Sequence, residues 1–144
     1  MKEIENHIST WIEKLSTTYI KLNGFSICPF AKKSKYKIIE LIDEDINPIL
    51  DSLDLIIYVL DYDYTFEQLT SIAKEYNTLY PHLVFLPDGK DRNTDINGIP
   101  TNNGKYNLLL CQDRSELQIA RNKLAKTAYY TLWDKSYLKE ILEQ

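Results

Sequence analysis

The feature that most constrains the fold is the apolar run at residues 54–60, which reads Asp-Leu-Ile-Ile-Tyr-Val-Leu. The run is nearly uninterrupted and rich in β-branched side chains. Such runs are typical of strands that are covered on both faces of a sheet. The run therefore predicts a central strand with other elements packed on both of its sides.

The rest of the chain alternates between helical and strand patterns. Apolar residues from Ile4 onward recur at helical spacing and predict a first helix. Capping boxes formed by Thr65 with Gln68 and by Ser115 with Gln118 predict the starts of two more helices. Two further strands and a final turn or short helix are indicated, in that order, at residues 82–86, 106–111 and 137–142.

Residues 35–53 allow two interpretations. In the first, residues 35–41 form a strand, and a short helix follows around Ile46 with Pro48 near its first turn. In the second, the stretch is helical throughout and Pro48 lies inside the helix, where a proline is disruptive. We prefer the strand followed by the short helix.

Together these elements give the order α-β-α-β-α-β-β-α over residues 1–144. Crossover helices predict parallel strands, and the last two strands can form an antiparallel pair. The long polar loop at residues 88–106 is typical of mobile or functional segments. The expected fold is a single-domain α/β protein with a mixed-sheet sandwich.

Composition excludes several classes of protein. With 44% hydrophobic residues and a net charge of -4, the chain is typical of a globular soluble domain and has no general attraction to nucleic acid. The polar N-terminus and the lack of a long apolar stretch predict a cytoplasmic protein without a membrane span. The frequent Lys, Asn, Ile and Tyr residues suggest an AT-rich genome, bacterial or viral.

Cys28 is the best candidate for chemistry. It is followed by Pro29 and, a few residues later, by Lys32 and Lys33. A cysteine reacts as the thiolate, and nearby lysines or a helix beginning after Pro29 would lower the pKa of the thiol. The alternative is that Cys28 is a small buried apolar residue, because no second cysteine stands at C-x-x-C spacing.

The remaining cysteine and the histidines give no further site. Cys111 ends an apolar strand pattern, so we expect it in the core. A metal site would have to assemble Cys28, His82 and Cys111 without any paired-ligand spacing, and none is predicted.

Four short motifs resemble a bacterial family of unknown function that is marked by a Leu-Cys-Pro-Phe-Ala motif. They are Trp11, the segment 24–31 that ends in Cys-Pro-Phe-Ala, Leu-Pro-Asp at residues 86–88, and Asn-Gly-Lys-Tyr at residues 103–106. The chain departs from the family in a shorter middle and in Lys105, where the family tends to have proline. The resemblance implies a shared fold and site, but no particular reaction.

A second resemblance is to the thioredoxin superfamily. The Cys-Pro-Phe-Ala motif is similar to the one-cysteine motif of omega-class glutathione transferases, and residues 80–89 are similar to the cis-proline strand and turn of thioredoxins. This resemblance implies that Cys28 is a nucleophile at a helix start, that Pro81 faces it and that glutathione could be a co-substrate. It requires a strand at residues 25–27 and a helix at residues 32–42.

The leading functional interpretation is a pocket around the Cys-Pro-Phe-Ala motif that binds a small polar molecule or thiol, with no cofactor other than possible glutathione. Cys28 is its candidate catalytic residue, and the candidate ligand-binding residues are Lys32, Lys33, Pro81, Asp88, Asn103 and Tyr106. One alternative is a monothiol oxidoreductase or glutathione-dependent transferase. Another is a protein-interaction module, which the 11 tyrosines suggest.

Overall fold

The fold is a mixed four-stranded sheet with helices on both faces, in a computed structural model that describes residues 2–41 and 46–143. The helices are α1 (Lys2–Ser16), α2 (Phe66–Leu79), α3 (Arg114–Ala125) and α4 (Lys135–Leu142). The strands are β1 (Tyr36–Glu40), β2 (Leu55–Val59), β3 (Leu83–Asp88), β4 (Asp95–Ile96), β5 (Ile99–Pro100) and β6 (Leu108–Asp113). Single 3₁₀ turns lie at Ile20–Leu22, Ala31–Lys33 and Tyr129–Leu132.

The sheet has the order β1-β2-β6-β3. β1 runs parallel to β2, and Ile38 is paired with Ile57. β6 lies between β2 and β3 and is antiparallel to both, so that Leu109 has Tyr58 on one side and Pro87 on the other. The α/β fold with a mixed sheet is therefore confirmed, and the apolar run at residues 54–60 forms the central strand β2.

One face of the sheet is covered by α1. Ile57 and Val59 of β2 and Leu108 of β6 pack there against Ile8 and Trp11. These side chains share a face because successive residues of a strand point to opposite sides. The apolar stripe predicted from Ile4 onward is what α1 buries.

The opposite face is covered by α2. Ile56 and Tyr58 of β2, Phe85 of β3 and Cys111 of β6 form a buried cluster with Ala73 of the helix. Cys111 is fully buried, so the expectation that it lies in the core is confirmed. The continuous apolar run of β2 thus supplies both cores at once.

The short helix predicted around Ile46 is wrong. Residues 46–54 form a loop whose backbone bonds are local turns, such as Leu53 N–H to the Leu50 carbonyl at 2.9 Å. Pro48 cannot donate a backbone hydrogen bond, which weakens a helix this short. Ile46 is nevertheless buried, so its apolar spacing reflects packing onto the α2 face rather than helix formation.

The elements required by the thioredoxin resemblance are not formed in the described residues. Residues 36–40 are the strand β1 and not part of a helix, as we preferred from the sequence, and residues 25–27 form no strand. Residue 42, the last residue of the helix that the resemblance requires, lies outside the described residues, as do residues 43–45.

The two predicted capping boxes have different outcomes. At α2 the box is formed as predicted, with Thr65 as N-cap and Gln68 bonded back to it. At α3 the prediction is wrong, because the N-cap is Asp113, whose carboxylate accepts the Glu116 N–H at 2.9 Å. Ser115 instead donates its hydroxyl to Asp113. Asp is as good an N-cap as Ser, and it lies directly at the end of β6.

The polar segment predicted as a loop contains a small hairpin of β4 and β5. Asn97 and Gly98 form its two-residue turn, with φ angles of 50° and 86°. An Asn-Gly pair suits this turn because both positions need a positive φ. The segment is therefore more ordered than its polar composition indicates.

The side chain of Asn77 holds the outer edge of β3 at Phe85. Asn77 of α2 accepts the Phe85 N–H at 2.7 Å and donates to the Phe85 carbonyl at 3.1 Å. We expect Asn77→Leu to lower the free energy of unfolding by about 1–3 kcal/mol, because two half-buried backbone groups lose their partners. Urea denaturation measures this loss.

The matched control is Asn122→Leu on the exposed side of α3, where the amide accepts only from the Gln118 side chain. We expect this change to alter stability by less than about 0.5 kcal/mol. Equal losses in the two variants would show that Asn77 does not hold the edge.

Candidate functional site

A cavity of about 1050 Å³ lies between the sheet and the C-terminal helices. Residues of β2, β3 and β6 line it together with residues of all four helices, α1 to α4. Small-molecule sites usually measure about 300–1,000 Å³, so this cavity is at the upper end of that range. Apolar side chains dominate its surface, including Trp11, Leu15, Leu55, Leu110, Leu117 and Leu124.

The cavity exists because the C-terminal helices pack loosely. None of the residues of α3 or α4 is buried, although both helices carry an apolar stripe. Leu117 and Leu124 of α3 are half-buried and line the cavity instead of entering a core. The apolar stripes of these helices are therefore only partly used by the fold.

The Cys-Pro-Phe-Ala motif, residues 28–31, forms part of the cavity wall. The Cys28 N–H donates to the Leu15 carbonyl at the end of α1, at 2.9 Å. The preceding carbonyl, that of Ile27, accepts the hydroxyl of Tyr129 from the C-terminal segment. The motif is thus fixed between the first helix and the last part of the chain.

The Cys28 thiol is half-buried in this wall. Burial raises its pKa above the ordinary value, although backbone N–H groups of Phe30 and Ala31 act in the opposite direction. The expected lowering of the pKa by the lysines or by a helix start is therefore wrong. Lys33 is exposed and outside the wall, and desolvation outweighs the two backbone dipoles. At neutral pH the residue is a thiol.

Asp88 is a second polar residue of the wall, at the end of β3, and is buried. Asn102 donates to its Oδ1 at 2.7 Å, and the Asn103 N–H donates to Oδ2 at 3.0 Å. The Asn103 side-chain amide also donates to Oδ2. Burial raises the pKa of Asp88 above its ordinary value, and these donors reduce the effect without reversing it.

Asn103 connects Asp88 to the turn before β6. Its Oδ1 accepts the Tyr106 N–H at 2.7 Å, and its Nδ2 donates to the Tyr106 carbonyl at 2.8 Å. The His7 Nε2–H donates to the Asn103 carbonyl at 2.9 Å, so α1 also holds this turn. Both Asn103 and Tyr106 lie behind the wall, and the neighbouring Asn102 lines the cavity.

The predicted site residues are thus brought together only in part. Cys28 and Asp88 share one cavity, and Asn103 and Tyr106 support Asp88 from behind. Pro81 lies at the exposed start of β3, outside the cavity wall and after a trans peptide bond. The Lys32 side chain lies outside what the structure describes.

Sequence reasoning missed the contribution of the C-terminal segment. Tyr129, Tyr130, Trp133 and Tyr137 all line the cavity, and consecutive members of this group have ring centroids 4.8 to 5.4 Å apart. Arg121 also lines it. A sequence signal for Arg121 existed, since it interrupts the apolar stripe of α3 with a charge.

Arg92 links the polar loop to α4 at another part of the wall. Its guanidinium donates to both carboxylate oxygens of Glu140 at 2.9 Å and lies 4.3 Å from the ring centroid of Phe66. Both hydrogen bonds come from the single nitrogen Nη2, and they are charge-assisted. Arg92 therefore already has an anionic partner within the protein.

No protein-family model, curated protein or solved structure matches this chain. Within residues 2–41 and 46–143, no three His, Cys, Asp or Glu side chains come together in a group that could hold a metal ion. None of the described helices has the length and apolar character needed to cross a bilayer.

Asp88 gives the stability of the protein a specific pH dependence. Between its unfolded pKa of 3.8 and its higher folded pKa, the folded state binds more protons than the unfolded state. The contribution of Asp88 to stability is thus fully present below 3.8 and is lost as the pH rises through the folded pKa.

We expect Asp88→Asn to be less stable than the unmodified protein by about 1–3 kcal/mol at pH 4, because its amide would face the donors of Asn102 and Asn103. The difference should shrink as the pH rises toward 7. Urea unfolding across this pH range measures it, and exposed Asp63→Asn controls for the lost charge. A difference that stays constant with pH would contradict the raised pKa of Asp88.

The raised pKa of Cys28 predicts slow alkylation at neutral pH. In a Cys111→Ser background, we expect the rate of iodoacetamide labelling to increase with pH, with an apparent pKa above 9.0. Cys111 is the internal comparison in a Cys28→Ser background, because burial raises its pKa to about 12 and it should be labelled only on unfolding. Rapid labelling of Cys28 at pH 7 would show that it is a thiolate.

Proposed function

We propose that the protein binds a small molecule with a largely apolar body in the cavity beside the Cys-Pro-Phe-Ala motif. The observation that supports this most strongly is the cavity itself, about 1050 Å³, with an apolar wall and polar groups in it, among them Cys28 and Asp88. Concave apolar sites with a few convergent polar groups are typical of small-molecule binding.

The loose packing of the C-terminal helices supports a binding role. Apolar side chains such as Leu117 and Leu124 are neither buried nor on the outer surface, and they face a space large enough for a ligand. A ligand that removes this surface from water gains roughly 25 cal/mol per Å². The same apolar wall favours a more apolar ligand than the small polar molecule predicted from the sequence.

The polar groups of the wall would orient such a ligand. Asp88 is held rigidly by Asn102 and Asn103, and Cys28 is fixed through the backbone at the end of α1. Both positions are thus set by hydrogen bonds within the protein before any ligand arrives. Preorganised contacts of this kind increase affinity because little ordering remains to be done on binding.

A thiol-dependent enzyme, such as a monothiol oxidoreductase or a glutathione-dependent transferase, is the second candidate function. One observation favours it: Cys28 lies in the wall of the cavity, where a bound molecule could reach it. The raised pKa of the Cys28 thiol argues against an enzyme of this kind, since the thiolate is the nucleophile. The alkylation experiment on Cys28 separates the two functions.

The proposed cavity can be tested with Nile red, a neutral apolar dye that fluoresces in apolar surroundings. We expect the unmodified protein to bind the dye and Ala120→Phe to bind it about ten-fold more weakly, because Ala120 lines the cavity and a larger side chain would occupy it. Both tryptophans, Trp11 and Trp133, line the cavity and should report the same binding by a change in their emission.

The matched control is Ala125→Phe in the same helix, at an exposed position outside the cavity wall. Its affinity for the dye should equal that of the unmodified protein. Absence of dye binding by the unmodified protein, or equal binding by the two variants, would contradict a ligand site in this cavity.

A further inference from the structure

The balance of charged side chains in the cavity wall is positive, whereas the net charge of the protein is negative. The whole chain has a net charge of -4. Basic side chains nevertheless outnumber acidic ones in the described cavity wall. The basic residues are Lys74, Arg92, Arg114, Arg121 and Lys139, and the acidic ones are Asp88, Glu140 and Glu143.

Arg121 differs from Arg92, another arginine of the wall, in its partners. Its guanidinium donates to the Ile141 carbonyl at 3.2 Å, and no carboxylate of the described residues lies within ion-pair distance of it. Arg92, in contrast, is paired with both oxygens of Glu140. Arg121 is therefore a half-buried cation in the wall whose charge the described part of the protein does not neutralise.

Arg121 is placed in the cavity wall by its position on α3. It lies in the apolar stripe of α3 between Ala120 and Leu124, and all three residues line the cavity. Tyr130, another residue of the wall, is close enough to interact electrostatically with both Arg121 and Cys28. Arg121 and the Cys-Pro-Phe-Ala motif thus line the same cavity, with Tyr130 as a common neighbour.

A half-buried guanidinium without an anion is energetically unfavourable, because it has lost hydration without gaining a charged partner. Desolvation is the main reason why the pKa of Arg121 is lowered. An anion in the cavity would reverse this loss. Guanidinium groups suit carboxylates and phosphates in particular, since their planar N–H donors can bind two oxygens at once.

We propose that the ligand of this cavity carries a single anionic head, a carboxylate or a phosphate, which pairs with Arg121 while its apolar body fills the space under α3 and α4. This inference rests on the proposed function and adds the class of ligand. Arg121 is then the residue that determines specificity for the head, and the apolar wall binds the body.

The test uses ligands that share one chain and differ in the head: dodecanoate, dodecyl phosphate and dodecan-1-ol. Each is titrated, below its aggregation concentration, against Nile red bound to the unmodified protein. We expect at least one of the two anions to displace the dye at about ten-fold lower concentration than the alcohol, as a charge-assisted hydrogen bond predicts. Comparing the two anions shows whether the site prefers carboxylate or phosphate.

Arg121→Gln should abolish the preference for the anions, measured within that variant as the ratio of the concentrations of dodecan-1-ol and of each anion that displace Nile red. Arg121→Lys should retain part of the preference, since it keeps the charge but loses the planar donors. Lys123→Gln is the matched control, because Lys123 is exposed on the same helix and outside the wall. This variant should keep the full preference of the unmodified protein.

Two results would overturn the inference while leaving the proposed function intact. One is equal displacement by the alcohol and both anions, and the other is an anion preference that survives in Arg121→Gln, each with Nile red still bound by the unmodified protein. If the unmodified protein binds neither the dye nor any of the three ligands, the proposed function fails as well.

Discussion

The position of β6 between β2 and β3 is the constraint on which the rest of the structure depends. Because β6 follows a long excursion, its pairing of Leu108 with Asp88 brings both ends of residues 89–107 to the same end of the sheet. The buried Asn107 then accepts the Lys90 N–H at 3.0 Å and donates to the Asp61 carbonyl at 2.8 Å. This sheet register thus brings the two ends of the polar segment together. It also places Asp88 beside Asn102 and Asn103, which donate hydrogen bonds to its carboxylate.

The same arrangement produces the cavity. α3 begins at Arg114, directly after β6, and its Leu117 and Leu124 line the cavity together with Leu110, on the face of the sheet that α1 covers in part. α1 buries Ile8 and Trp11 against β2 and β6, whereas the C-terminal helices bury no residue of their own. The gap between a tightly packed first helix and loosely packed last helices is the space that we propose for a ligand.

The sequence predicted the elements whose signals are local. β2 followed from its apolar run, α2 from the box of Thr65 and Gln68, and β1 from the preferred interpretation of residues 35–41. The short helix around residues 46–53 was wrong because a loop that packs apolar residues onto a core can have the same spacing as a helix. The cavity could not be predicted, since its wall joins residues from Trp11 to Glu143 whose proximity depends on the sheet order.

Electrostatics at the site show the same limit of local reasoning. Adjacent lysines suggested a thiolate at Cys28, but burial has the larger effect, and it also raises the pKa of Asp88 and lowers that of Arg121. All three shifts favour the neutral forms, as expected for a wall of low polarity. An anionic head beside Arg121 would stabilise that cation and disfavour a thiolate at Cys28 further. Binding of an anionic amphiphile and nucleophilic chemistry at Cys28 therefore make opposite electrostatic demands on one cavity. Arg121, which has no carboxylate partner among the described residues, supports the former.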